Sequence, residues 1–165
     1  MNRDNQQVRD ICWLAGVIDG EGCFYLQKRT RKKAFDLIPE IIINNSNWLI
    51  IENIDRVLKE NKIGHFIFSI KGYGDRPGKK PKWGIRITGL FRCKALLVTV
   101  LPYLCGKNKE AEVLHHYICS RLEKPNKQVP YDEDEKKAYE VLRMLKQMSN
   151  PNDYTLNVFV DKMKI

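Results

Sequence analysis

Leu14-Ala15-Gly16-Val17-Ile18-Asp19-Gly20-Glu21-Gly22 is the stretch on which the reading of this chain turns. Val8, Ile11, Cys12, Ala15 and Ile18 recur at helical spacing ahead of Gly20-Glu21-Gly22, which predicts a helix over 7–21. Ala15, Gly16 and Gly20 are small, and the four-residue step between the two glycines puts both on one face. A helix face without side chains lets a second backbone come close. Glu21 sits at the helix C-terminus, where the dipole disfavours a carboxylate unless a cation is near. If two copies of the helix met at a dyad, two Glu21 carboxylates would converge and call for a divalent ion. Taken alone, Gly22 reads as an ordinary glycine helix stop.

Working outward, residues 23–33 change period. Cys23, Tyr25, Gln27, Arg29, Arg31 and Lys33 fall on one face of a strand, and Phe24, Leu26, Lys28 and Thr30 on the other. A second strand is predicted over 37–44, with Pro39 suiting an edge or a strand start. Asn47 caps a predicted helix from 48 to about 62, with Leu49, Ile50, Ile54, Val57 and Leu58 as its apolar stripe and Gly64 as its stop. Residues 65–71 read as a third strand, and 72–81, with three glycines and two prolines, as a turn or long loop. Over 82–88, Lys82, Gly84, Arg86 and Thr88 alternate with Trp83, Ile85 and Ile87. Helices follow at 89–101, 107–122 and 131–148. Asp132, Glu133, Asp134 and Glu135 crowd the first turn of the last one, where the dipole favours them.

The composition sets the partner class. Lysine plus arginine number 29 against 20 acidic residues, a formal charge of +9 that points to a polyanion. No apolar run is long enough to span a bilayer, and the polar, mixed-charge start 1–10 is unlike a signal peptide. The five cysteines are odd in number, contain no C-x-x-C pair, and read as reduced, mostly buried small hydrophobes in an intracellular protein. The three histidines complete no zinc-site spacing. The length suits one domain over 1–165, with a core of about 7–122 and a C-terminal helical extension over about 128–165.

Residues 14–22 resemble the nine-residue signature of the LAGLIDADG homing endonucleases, matching it at Leu14, Ala15, Gly16, Ile18, Asp19 and Gly22. Val17, Gly20 and Glu21 depart from it. The surrounding α-β-β-α-β-β-α order is similar to that family as well. The resemblance implies an α+β fold with an antiparallel β-saddle for DNA and extra C-terminal helices. It further implies a site-specific double-strand DNA endonuclease that hydrolyses phosphodiesters with a divalent metal, Mg2+ or Mn2+, and leaves short 3′ overhangs. Glu21 and the Gly20 carbonyl would be the metal ligands, with glutamate here where the signature has aspartate. Lys107, in Pro102-Tyr103-Leu104-Cys105-Gly106-Lys107-Asn108-Lys109, matches the family's active-site lysine, with Lys109 the alternative. Asn45 stands where the family often has a residue that orients water, although Asn44-Asn45-Ser46-Asn47 equally suits turn and cap chemistry. The arginine that some members carry early in the following helix is replaced by Leu49, Ile50 and Ile51, so the auxiliary basic group has no assignment.

One copy of the signature implies a homodimer through Trp13, Ala15, Gly16, Asp19 and Gly20, and hence a long pseudo-palindromic target. Asp19 is expected to hydrogen-bond backbone rather than metal. A mobile intron or intein would encode such a chain. The DNA-binding set expected from the strand faces is Tyr25, Gln27, Arg29, Arg31, Lys33, Ser69, Lys71, Arg76, Lys80, Lys82 and Arg86. Arg and Gln on a β-ribbon can read guanine and adenine edges, whereas loop lysines add salt-dependent phosphate contact. The rival reading is an RNA-binding intron maturase on the same fold, which would not need Glu21. A peripheral membrane protein fits poorly, because the basic residues lie in strands and not on an amphipathic helix. The E-x-K echo at Glu135-Lys136-Lys137 reads as first-turn helix chemistry.

Overall fold

A computed structural model describes residues 3–30, 35–72, 78–126 and 129–147. Its elements run α1 (Arg3–Glu21), β1 (Gly22–Thr30), β2 (Phe35–Asn45), α2 (Trp48–Glu60), β3 (Phe66–Ser69), β4 (Trp83–Thr88), α3 (Leu90–Val100), a 3-10 turn (Leu101–Tyr103), α4 (Asn108–Glu123) and α5 (Glu133–Gln147). The four strands form one antiparallel sheet in the order β1-β2-β4-β3. This is the α+β arrangement that the sequence implies. One face of the sheet carries Phe24, Leu26, Leu37, Ile41, Ile43, Ile85 and Ile87 into the helices, all buried. The core continues through Leu14, Ala15 and Ile18 of α1 and Leu96, Leu97 and Val100 of α3. It ends on Ala138, Val141, Leu142 and Leu145 of α5. No helix among the described residues is long and apolar enough to cross a membrane.

Several local readings need correction. The first helix begins at Arg3 and not at residue 7, because a polar exposed turn precedes its buried stripe. β2 is central, not an edge. Its Pro39 is tolerated because the Pro39 carbonyl accepts from Gly89 N at 3.0 Å, so the missing N–H lies on the β4 side. The β2–β4 ladder stops one residue earlier, at Glu40–Thr88, so no ladder bond is lost. In α2 the buried residues are Ile51, Ile54, Val57 and Leu58, whereas Leu49 is exposed. Asn47 does cap this helix, its side chain accepting from Leu49 N at 3.0 Å.

The stop of α2 is also not Gly64. Ile63 N donates to Leu58 O at 2.8 Å and Lys62 N to Lys59 O at 3.0 Å, and the left-handed residue between helix and strand is Lys62, with φ 57°. Buried Ile63 and Leu58 supply the apolar contact such a stop uses. At the other end of the chain, Asp132 and Glu135 make reciprocal bonds at the start of α5. Glu135 N donates to Asp132 Oδ1 at 2.9 Å and Asp132 N to Glu135 Oε2 at 3.0 Å. Glu135 is buried and also meets Arg121 at 3.4 Å. That contact gives the E-x-K echo its structural explanation. The expectation of mostly buried cysteines is corrected: only Cys93 is buried. Cys12 and Cys105 are exposed, Cys23 and Cys119 are half-buried, and all five are free.

Candidate active site and nucleic-acid face

α1 runs straight into β1, and the junction is tight. A Cβ on Gly22 would stand 2.6 Å from the Ile18 carbonyl oxygen and 2.9 Å from the Ile18 Cα, both backbone atoms. Gly22 has no positive φ. It is therefore required for close approach, and the left-handed stop that a terminal glycine suggests does not apply. The approach lets one ammonium reach two carbonyls: Lys107 Nζ donates to Gly22 O at 2.7 Å and to Ile18 O at 3.2 Å. α1 has no basic residue in its own last turn. Lys107 thus supplies from another element the cation that the helix C-terminus and Glu21 need.

Asp19 delivers that lysine. Its carboxylate accepts from Cys105 N at 2.8 Å and from Lys107 N at 2.9 Å, bracing the turn ahead of α4, which has no side-chain cap of its own. Glu21 itself is exposed, as is Gly20. The sheet register pairs Gly22 with Ile43, so Asn45 lies at the same end of the sheet. Its Oδ1 accepts from Asn47 N at 2.8 Å, which commits the acceptor to the turn before α2. Beside this end, burial pushes the Glu110 carboxyl above its ordinary range, and the Lys107 charge only partly offsets it. Burial likewise pulls Lys146 of α5 down. Its Nζ stands 3.2 Å from the centroid of the Tyr25 ring. The Tyr25 hydroxyl, hydrogen-bonded with Cys23 and partly buried, is pushed up to about 12.

Along α1 the exposed residues include Val8, Cys12, Trp13, Gly16 and Gly20. A Cβ added at Gly16 or Gly20 would meet nothing within 4 Å. Ala15 is a correction to the expected seam: it is 0% exposed and packs into the core of the chain. Asp19 is half-buried, its carboxylate turned to residues 105 and 107.

The outer face of the sheet holds the expected readers Tyr25, Gln27 and Arg86, joined through a residue that the strand pattern did not single out. Glu40, on β2 between them, is 2% exposed. It pairs directly opposite Tyr25 and Thr88. Its Oε1 forms an ion pair with Arg86, 3.0 Å from Nε, and its Oε2 accepts from Gln27 Nε2. The Arg86 guanidinium also lies 4.9 Å from the Phe68 ring centroid. That ring covers Gly84, where a Cβ would stand 2.4 Å from Phe68 Cζ and 2.6 Å from Asn44 Oδ1. A lone acid in the apolar run 37–43 was the available signal for Glu40.

The remaining expected contacts divide. Arg29 is exposed opposite Asp36. Lys71 and Lys80 are exposed, and Lys82 is half-buried just before β4. Ser69 is a correction. It pairs with Trp83, in the register of Ile67 and Ile85, so it belongs to the face opposite Arg86. Arg31, Lys33 and Arg76 lie outside the described residues.

Comparison of the coordinates with solved structures gives matches over the whole chain. The homing endonuclease I-CvuI, in complex with its target and calcium, superposes with a TM-score of 0.64 at 17% identity, covering 96% of this chain and 97% of that one. The archaeal intron-encoded homing endonuclease I-Vdi141I, complexed with DNA, gives 0.63 at 15% identity, covering 99% of each chain. The LAGLIDADG meganuclease I-CpaMI, bound to uncleaved DNA, gives 0.56 at 17% identity over 94% of this chain and 50% of that one. The chain has the LAGLIDADG homing-endonuclease fold. No protein-family model matches its sequence, and no curated protein does. In this fold residues 14–22 lie on α1 and at the start of β1, and Gln27, Glu40 and Arg86 lie on the outer sheet face.

Proposed function

We propose that the chain is a site-specific DNA endonuclease that acts as a homodimer on a pseudo-palindromic duplex and cuts one strand with each subunit. The observation that carries this reading is the end of α1: an exposed Glu21 closes the helix, and an ammonium is fixed on the Ile18 and Gly22 carbonyls on either side of it in the chain. It opens beside the β1 end of a basic sheet face. Glu21 and the Gly20 carbonyl are hard oxygen donors of the kind Mg2+ or Mn2+ takes. Among the described residues no group of three or more His, Cys, Asp or Glu forms a cage. The donor set fits an ion that completes its shell with water, phosphate oxygens and a second subunit's Glu21. When bound, such an ion supplies an activated water and stabilisation of the leaving 3′ oxygen.

In this reading Lys107 offsets charge at the scissile phosphate. Asp19 holds it there through the backbone of residues 105–107. Gly16 and Gly20 form the centre of the dimer seam, with Trp13 at its side. Glycine in a helix costs about 1 kcal/mol relative to alanine. Since nothing in the subunit occupies the space beside either one, their smallness serves a neighbour outside it. Exposed Lys71, Lys80 and Arg29 add phosphate affinity that falls with salt.

The test is cleavage mapping on DNA spanning the intron-less or intein-less junction of the gene's own insertion site. Defined breaks with short 3′ overhangs are expected with Mg2+ and none with EDTA. Cutting that persists in EDTA, or no cutting of any duplex, contradicts the proposal.

A further inference from the structure

Burying a carboxylate is costly unless its oxygens are paired, and removing one partner leaves an uncompensated charge. Glu40 is buried on the sheet's outer face, where the DNA reading places a duplex, and both its oxygens are taken by the two side chains best suited to read bases. A core-facing ion pair would contribute to folding alone. This one spans β1, β2 and β4 on the face away from the core.

The geometry points to Glu40 as the residue that positions sequence readout, fixing Arg86 on a guanine and Gln27 on an exocyclic base amine; the inference rests on the DNA-binding reading above. Arg86 is ion-paired with Glu40 through its Nε side and lays its guanidinium against Phe68, yet the side chain is 44% exposed. With the Nε side at Glu40, the Nη1/Nη2 edge is the one available to a base, two parallel donors that match guanine O6 and N7. Gln27 gives its Nε2 to Glu40, and that settles which way its amide lies. Its Oε1 is left as the outward acceptor, complementary to the amino group of adenine or cytosine. Without Glu40 both side chains are long, rotatable and free to turn.

Glu40→Gln keeps the size of the side chain but cannot accept on both terminal atoms, so either Arg86 or Gln27 loses its acceptor. The experiment is selection from a pool of randomised duplex DNA by the full chain in calcium. Melting temperature and binding to a non-specific duplex are measured alongside. The wild type is expected to enrich guanine at one position of each half-site, beside a base that carries an exocyclic amine. Glu40→Gln is expected to lose roughly tenfold of that guanine preference, with non-specific binding and melting nearly unchanged. An unchanged preference in Glu40→Gln overturns the inference, and so does a joint fall of melting and non-specific binding. If that variant does not fold, Arg86→Lys decides, since it keeps the charge beside Glu40 but removes the fork. Guanine preference retained in Arg86→Lys contradicts the inference. A wild type that selects a defined site but without guanine enrichment overturns this inference alone, whereas one that binds duplex with no base preference overturns the site-specific reading as well. One that binds no duplex overturns the DNA reading and this inference with it.

Discussion

The end of α1 and the outer face of the sheet are both rich in charge, but they anchor it differently. At the end of α1 the anchors are backbone: Asp19 holds two N–H groups and Lys107 holds two carbonyls. On the sheet the anchors are other side chains, Glu40 with Gln27 and Arg86, and Arg86 with Phe68. A group tied to backbone can move only if the fold moves. A group tied to a side chain can be re-aimed by substituting its partner. The first arrangement suits chemistry that must stay fixed, the second a target preference that can change while the fold persists.

The largest effect expected from breaking the first arrangement is at Lys107. Lys107→Met should lower the cleavage rate by on the order of a hundredfold or more, measured in single turnover, with DNA binding retained. If Glu40→Gln slowed cleavage as much, the division between the two regions would fail. Gly22→Ala tests the close approach itself. Its Cβ must push on Ile18 backbone, so denaturant unfolding should show a loss of about 2 kcal/mol. Equal stability would mean the junction can relax.

Gly16→Ala sharpens the comparison, because the subunit has room for the methyl group. The isolated chain should gain up to about 1 kcal/mol, while sedimentation equilibrium should show weaker self-association. The smallest effect is at Glu110, whose carboxyl is raised chiefly by burial. A raised acid contributes stability below its unfolded value, near 4.5, and loses it as pH rises through the folded value. Glu110→Gln should therefore melt higher than wild type at neutral pH, the difference shrinking towards pH 4.

Much of this was legible in the sequence where the signal is local. Ala15 and Ile18 of the first helix's apolar stripe, the alternation in β1 and β4, and the Asn47 cap are set by neighbours a few residues apart, whereas Val8 and Cys12 of that stripe are exposed. The failures come where a distant neighbour decides. Ala15 reads as a seam residue until α3 and the sheet are packed behind it. Pro39 reads as an edge residue because the end of the β4 ladder, 49 residues on at Thr88, cannot be counted from strand composition. Glu40 passes unnoticed in an apolar strand because its partners lie 13 residues before it and 46 after it. Ser69 lands on the wrong face because the register of a four-residue strand is fixed only by its pairing with Trp83. Lys107 could be matched by resemblance, but its grip on one carbonyl of α1 and the first of β1 follows from the approach of Gly22 to Ile18.

The measurement that tests the central claim most directly is Glu21→Gln on DNA from the gene's own insertion site, with binding and cleavage followed in the same magnesium buffer. The account predicts binding within a few-fold of wild type and no detectable cleavage. Cleavage at the wild-type rate by Glu21→Gln would contradict it.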